Sequence, residues 1–169
     1  MAMVPEDLKN AWVKNLKSID NPKNALKVFS STLKDYLENN MIITYSWVGI
    51  SSIPTTDPIV SFTAKISWND FNIINPKSFI LFGSLITNEL LKGEIKPVDS
   101  SFSLTLGKLK LVTPFILVKS FATTQDIAML NLATQIIIYV KTMIDNTTVL
   151  TGSHGIYISS PGAVMLSIL

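Results

Sequence analysis

"IAMLNLATQIIIYV", Ile127 to Val140, runs for fourteen residues without a charge, between Asp126 and Lys141. It reads as a membrane span, as the core of a soluble domain, or as a surface that another subunit covers. A span needs roughly twenty apolar residues, and this run is shorter and contains Asn131, Thr134 and Gln135. We therefore expect no membrane span but a helix inside a folded domain, running to about Asp145. Thr123 with Asp126 three residues on resembles a capping box at its start. Apolar residues fall on most of its faces: Ile127, Met129, Leu130, Leu132, Ile136, Ile137, Ile138 and Val140. A helix that is apolar all round is buried all round. The burial comes either from the rest of the chain or from a second protomer.

Composition favours a contribution from a protomer. Charged residues are 15% and hydrophobic residues 47%, with a mean hydropathy of +0.38. A typical domain has about a quarter of its residues charged. With so little polar surface available, apolar surface is expected to remain for a partner, and obligate interfaces resemble a core cut in half. At 169 residues the chain fits one domain, 1–169.

Outward from that helix, the period of the apolar residues changes along the chain. "PEDLKNAWVKNLKSI" sets Leu8, Trp12, Leu16 and Ile19 on one helical stripe, with Pro5, Glu6 and Asp7 in the first turn and lysines on the remaining face. "DNPKNALKVFSSTLKDYLENN" starts a second helix, with Asn21 as N-cap, Pro22 at N1, and a stripe of Leu26, Phe29, Leu33 and Leu37. Asn39 and Asn40 are expected to end it in a left-handed cap. Residues 1–40 are thus a helical pair. Residues 41–70 switch to a period of two. "PIVSFTAKISWND" puts Val60, Phe62, Ala64, Ile66 and Trp68 on one face, and "MIITYSWVGI" does the same with Ile43, Tyr45 and Trp47. The turn formers of "SSIPTTDP" between them predict an antiparallel hairpin with a long loop. In 71–169 we expect helices with short strands. "NPKSFILFGSLITNELLKGE" opens at Asn75-Pro76 and closes at Gly93. The alternation through Phe102, Leu104 and Leu106 changes phase at Gly107, as a strand with a bulge or a short helix would. The tail has strand composition broken by Gly152, Gly155 and Pro161-Gly162. The fold class expected is α+β: two N-terminal amphipathic helices, an antiparallel β-hairpin or small sheet, and a long apolar helix in the C-terminal half.

No group of residues carries catalytic chemistry, so we expect no enzyme, no cofactor and no metal. Without cysteine there is no disulfide or thiolate site. His154, the single histidine, sits in "TGSHGIY" with no nucleophile or carboxylate spaced to make a triad, and its glycines suggest a turn. Ser31 and Lys34 form an S-x-x-K without its companion motifs, on the polar side of a helix. The carboxylates are spread over helix surfaces and ends, with no D-x-D cluster. Asn146-Thr147-Thr148 matches a glycosylation sequon, but "MAMVPEDLKNAWVKNLKSID" lacks the apolar core of a signal peptide, which points to an intracellular product. All fourteen basic residues are lysines, scattered along the chain. Without arginine's bidentate contacts, specific nucleic-acid binding is not expected.

The helix "LKNAWVKNL", the helix "ALKVFSSTLKDYL" running into "IITYSWVGI", and the closing "SHGIYISSPGAV" together resemble small accessory structural proteins of tailed bacteriophage virions. The resemblance lies in layout rather than in a specific motif. It implies a structural component of tail, neck or capsid that is made in the host cytoplasm, resides in the virion, forms a homo-oligomer and packs against other virion proteins. The residues expected to make these contacts are Trp12, Leu16, Leu130, Ile137 and Ile138. One rival is a small ligand-binding module whose pocket is lined by Trp47, Trp68 and Phe62. An enzyme using His154 and a holin-like membrane product are the other two.

Overall fold

The computed structural model describes residues 2–49, 61–74, 79–98, 104–106, 108–110, 113, 115–118, 124–147, 149–152, 155–159 and 165–166. Four helices are present: α1 (Pro5–Leu16), α2 (Pro22–Asn40), α3 (Phe79–Leu90) and α4 (Gln125–Asn146). Strands β2 (Ile42–Gly49), β3 (Ser61–Ser67), β4 (Glu94–Pro97), β5 (Leu104–Leu106), β6 (Val149–Gly152) and β7 (Gly155–Ser159) form one antiparallel sheet in the order β4-β3-β2-β7-β6-β5. Strands β1 (Ala2–Met3) and β8 (Met165–Leu166) form a separate parallel pair. The class is α+β, with the helical pair, the β2–β3 hairpin and the long apolar helix in place. The sheet is larger than the sequence suggested, because the β6–β7 hairpin joins the free edge of β2. A bridge between Glu94 and Lys108 links the chain just beyond β5 to the start of β4. The two ends of the sheet thus meet locally, which removes part of its exposed edge.

The period-two pattern places one face of the sheet in the core. Ile43, Tyr45, Phe62, Ala64, Ile66 and Ile95 are buried, while Thr44, Thr63, Lys65 and Lys96 face out. Tyr45 and Phe62 are register partners, and their rings stack at 5.4 Å. The Tyr45 hydroxyl donates to the Thr147 carbonyl (3.1 Å), tying the end of α4 to the inner face of the sheet. Val60 and the Trp47 side chain lie outside the described residues, as do Asn75-Pro76, Phe102, Gly107, His154 and Pro161-Gly162.

Several local expectations are corrected. Helix α1 ends at Leu16, so Ile19 is beyond its stripe. Asn21 does cap α2, accepting from the Lys23 and Asn24 amides at 2.9 and 3.4 Å. At the other end Asn40 stays helical, donating to the Tyr36 carbonyl (2.8 Å), and Met41 leaves in extended rather than left-handed geometry. The cap of α4 is Thr124 rather than Thr123; its hydroxyl accepts from the Ile127 amide at 3.2 Å.

The helices meet through aromatic rings. Trp12 is fully buried, stacks on Phe29 at 4.4 Å and donates its indole N–H to the Phe29 carbonyl at 3.2 Å. Phe29 in turn meets Phe82 of α3 at 5.6 Å. Helix α1 has no side-chain cap of its own. Instead Tyr36 on α2 holds its start: the Val4 amide donates to the Tyr36 hydroxyl (2.6 Å), which donates back to the Val4 carbonyl (2.9 Å). Burial raises the pKa of that phenol, so the hydroxyl keeps its proton further into alkaline pH than a free tyrosine.

Candidate functional site

Helix α1 packs along both α2 and α4, and the seam with α4 is closed at one end by a lysine. The pattern assigned Lys9 to the polar face, yet it is only 6% exposed. Its ammonium lies 2.5 Å from Glu6 and 3.2 Å from Asp126. The hydrogen bond to Glu6 is the main reason its pKa is raised; burial works against this, and Asp126 adds to it. A buried ammonium with two carboxylates is satisfied where a lone one would be strongly unfavourable. Asp126 sits in the first turn of α4, where a negative charge also suits the helix dipole.

Beyond Lys9 the two helices part into a groove of about 550 Å³, lined by Val13, Leu16 and Lys17 from one side and Thr124, Gln125, Asp126 and Met129 from the other. Its apolar part is Val13, Leu16 and Met129. Val13 is 41% exposed, and Ile127 in the first turn of α4 is 44% exposed. The burial of α4 is divided along its length. From 125 to 132 no residue is buried, although Ile127, Met129, Leu130 and Leu132 all fall there. From Ala133 on, Ile136, Ile137, Tyr139, Val140, Met143 and Ile144 enter the core. By length and composition α4 is apolar enough to cross a membrane; in this fold most of the apolar residues of its second half are core, while in its first half Met129 and Leu132 are part-buried against that core and Ile127 is exposed.

A second apolar strip runs beside the middle of α4. The Gln135 side-chain amide pairs with both backbone groups of Val118, accepting from its N–H (2.7 Å) and donating to its carbonyl (3.1 Å). Tyr139 donates to the Thr113 carbonyl (2.7 Å), and its ring stacks on Phe115 at 4.6 Å. The segment from 115 to 118 is therefore held extended along the helix. Phe115 and Leu117 point inward and are buried, while Ile116 and Val118 point out. Ile138 is one turn from Gln135 and also exposed.

These positions sort the five expected contact residues. Trp12 and Ile137 are both fully buried in the chain's own core and have no surface to offer. Leu16 and Leu130 are half-buried, and Ile138 is exposed. Other apolar residues at the surface are Ile127, already among the apolar positions of the run, and Val13, Ile116 and Val118, which the sequence did not single out. Val13 follows the stripe residue Trp12, and Ile116 and Val118 alternate with buried neighbours in "PFILV". That alternation was not legible in the sequence, because all four residues from Phe115 to Val118 are apolar.

The rival sites fare differently. Trp68 and Phe62 are buried, with Trp68 enclosed by Gly93 and Phe71 and its indole N–H given to the Leu90 carbonyl at 3.1 Å. Both rings are packed in the core. Ser31 donates to the Val28 carbonyl and Lys34 pairs with Glu38 at 3.2 Å, so the two do not act on each other. Glu38 and Glu89 accept the backbone N–H groups of Trp68 and Asn72, both at 2.9 Å, and so fasten the segment after β3. Among the described residues, no group of three or more acidic or histidine side chains is placed to hold a metal. Compared with family models, curated proteins and solved structures, the chain matches none.

Proposed function

We propose that the protein is a non-enzymatic structural component of a phage virion, in the tail, neck or capsid surface. It acts by self-association and by packing against neighbouring subunits, without spanning a membrane or reading nucleic-acid sequence. The observation that supports this reading is the groove in which Met129, near the start of α4, faces Val13 and Leu16 of α1, with Val13 and the neighbouring Ile127 exposed. A second copy of the chain is the occupant we assign to it. Leaving those side chains in water forgoes roughly 25 cal/mol for each Å² of apolar surface, which an interface would recover. The low charge and the phage-like layout of the chain point the same way. The test is the composition of phage particles banded on a density gradient. The reading expects the chain in many copies per particle, retained through a detergent wash; absence from the particle contradicts it.

A further inference from the structure

A different surface carries a proposal about a partner. Between the first two turns of α2 and the segment at 72–74 lies a cleft of about 460 Å³. Its polar lining is Lys23, Lys27, Asn24 and Asn72, and its apolar lining includes Ile73 and Ile74. Among the described residues, no acidic side chain lines it. Lys23 and Lys27 are four apart and so share one helix face, where like charges repel. Among the described residues neither has a carboxylate within ion-pair distance, unlike Lys9, Lys34, Lys92, Lys96 and Lys141. The first turn of α2 also has no acidic residue to offset them, whereas α1 and α4 each have one or more. The nearby carboxylate of Glu89 is taken by the Asn72 amide and Lys92, and Asp70 acts on Lys92. At the cleft's floor Ile73 is buried, while at its rim Ile74 is 65% exposed.

We propose that this cleft docks an acidic peptide segment of a partner protein. The partner's carboxylates lie against Lys23 and Lys27, and an apolar side chain packs on Ile74. Charge complementarity selects the sign of the occupant, and the isoleucine selects its class. A nucleic acid would need a longer basic track, more than two lysines, and no large apolar residue at the rim. The inference does not depend on self-association, since α1 and the first half of α4 take no part in it.

The test is titration of the full chain with a fluorescent peptide of alternating glutamate and leucine, followed by anisotropy and by amide chemical shifts. Saturable binding that weakens with salt, with shifts centred on 23–27 and 72–74, is expected. Lys23→Gln and Lys27→Gln should each weaken it about five-fold, close to 1 kcal/mol, and Ile74→Ser should weaken it without changing the salt dependence. Both lysines are exposed, so folding is preserved, and circular dichroism checks this. A single-stranded oligonucleotide and polyphosphate serve as competing anions. Overturning results are no saturable peptide binding, binding that the lysine variants leave unchanged, or tighter binding of either competing anion at the same residues.

Discussion

Gly83→Ala sets helix propensity directly against packing. Gly83 lies inside α3, where replacing glycine by alanine ordinarily stabilises by up to ~1 kcal/mol. Here a Cβ would land on the backbone carbonyl oxygen of Phe115, with the Leu117 amide nitrogen at 3.5 Å. A backbone carbonyl cannot swing aside as a flexible side chain does, so the whole 115–118 segment must move away from α3. That segment is held by the Thr87 hydroxyl on the Phe115 amide (3.3 Å), by Gln135 on Val118, and by the Phe115–Tyr139 stack. Overpacking of this kind costs about 1–3 kcal/mol, and losing the Thr87 bond adds about 1 kcal/mol. After the propensity gain, the net destabilisation is about 1–3 kcal/mol. Urea unfolding measures it: with a slope near 2 kcal/mol/M, the midpoint falls by roughly 0.5–1.5 M and the slope stays fixed. A Gly83→Ala protein as stable as the wild type, or more so, would refute the close approach of the 115–118 segment to α3.

Two further substitutions probe phenols. Tyr36→Phe removes both hydrogen bonds to Val4 and should cost about 1–3 kcal/mol by urea unfolding, with earlier amide exchange in the first turn of α1; an unchanged midpoint would mean that Val4 is held by other contacts. Burial pushes the Tyr45 phenol up to about 12 from 10.0, so the folded state keeps a proton that the unfolded chain releases. Its contribution is therefore complete below pH 10 and is lost as pH rises towards 12. Tyr45→Phe should flatten the alkaline fall in stability across that window, and a fall as steep as the wild type's would show that Tyr45 does not drive it.

What could be read from the sequence was set by local physics. Asn21-Pro22 announced the start of α2 because cap and N1 geometry are satisfied within three residues. The β2–β3 hairpin was legible because each strand alternates over several residues. The placement of β7 beside β2 was not, since it joins residues more than a hundred apart and depends on which edge remains free. Lys9 was read as solvated because a pattern marks a lysine as polar; its burial is tolerable because Glu6, one turn before it, and Asp126, from the other half of the chain, both pair with it. The same limit applied to the site. The α4 helix reads as apolar on most faces, and the sequence cannot tell that Ile136, Ile137, Val140, Met143 and Ile144 are core, that Met129, Leu130 and Leu132 are half-buried, and that Ile127 and Ile138 are exposed. Trp12 and Ile137 were therefore taken for contact residues when they are fully buried in the core.

Sedimentation of the wild type and of Met129→Asp at micromolar concentration tests the central claim most directly. Met129 is half-buried at the groove, so a carboxylate there reaches water in the monomer but not in an interface, where an unpaired charge is strongly unfavourable. The account predicts an oligomeric wild type and a Met129→Asp monomer with an unchanged far-ultraviolet circular dichroism spectrum. A wild type that sediments as a single monomer, or a Met129→Asp protein that remains fully oligomeric, would contradict it.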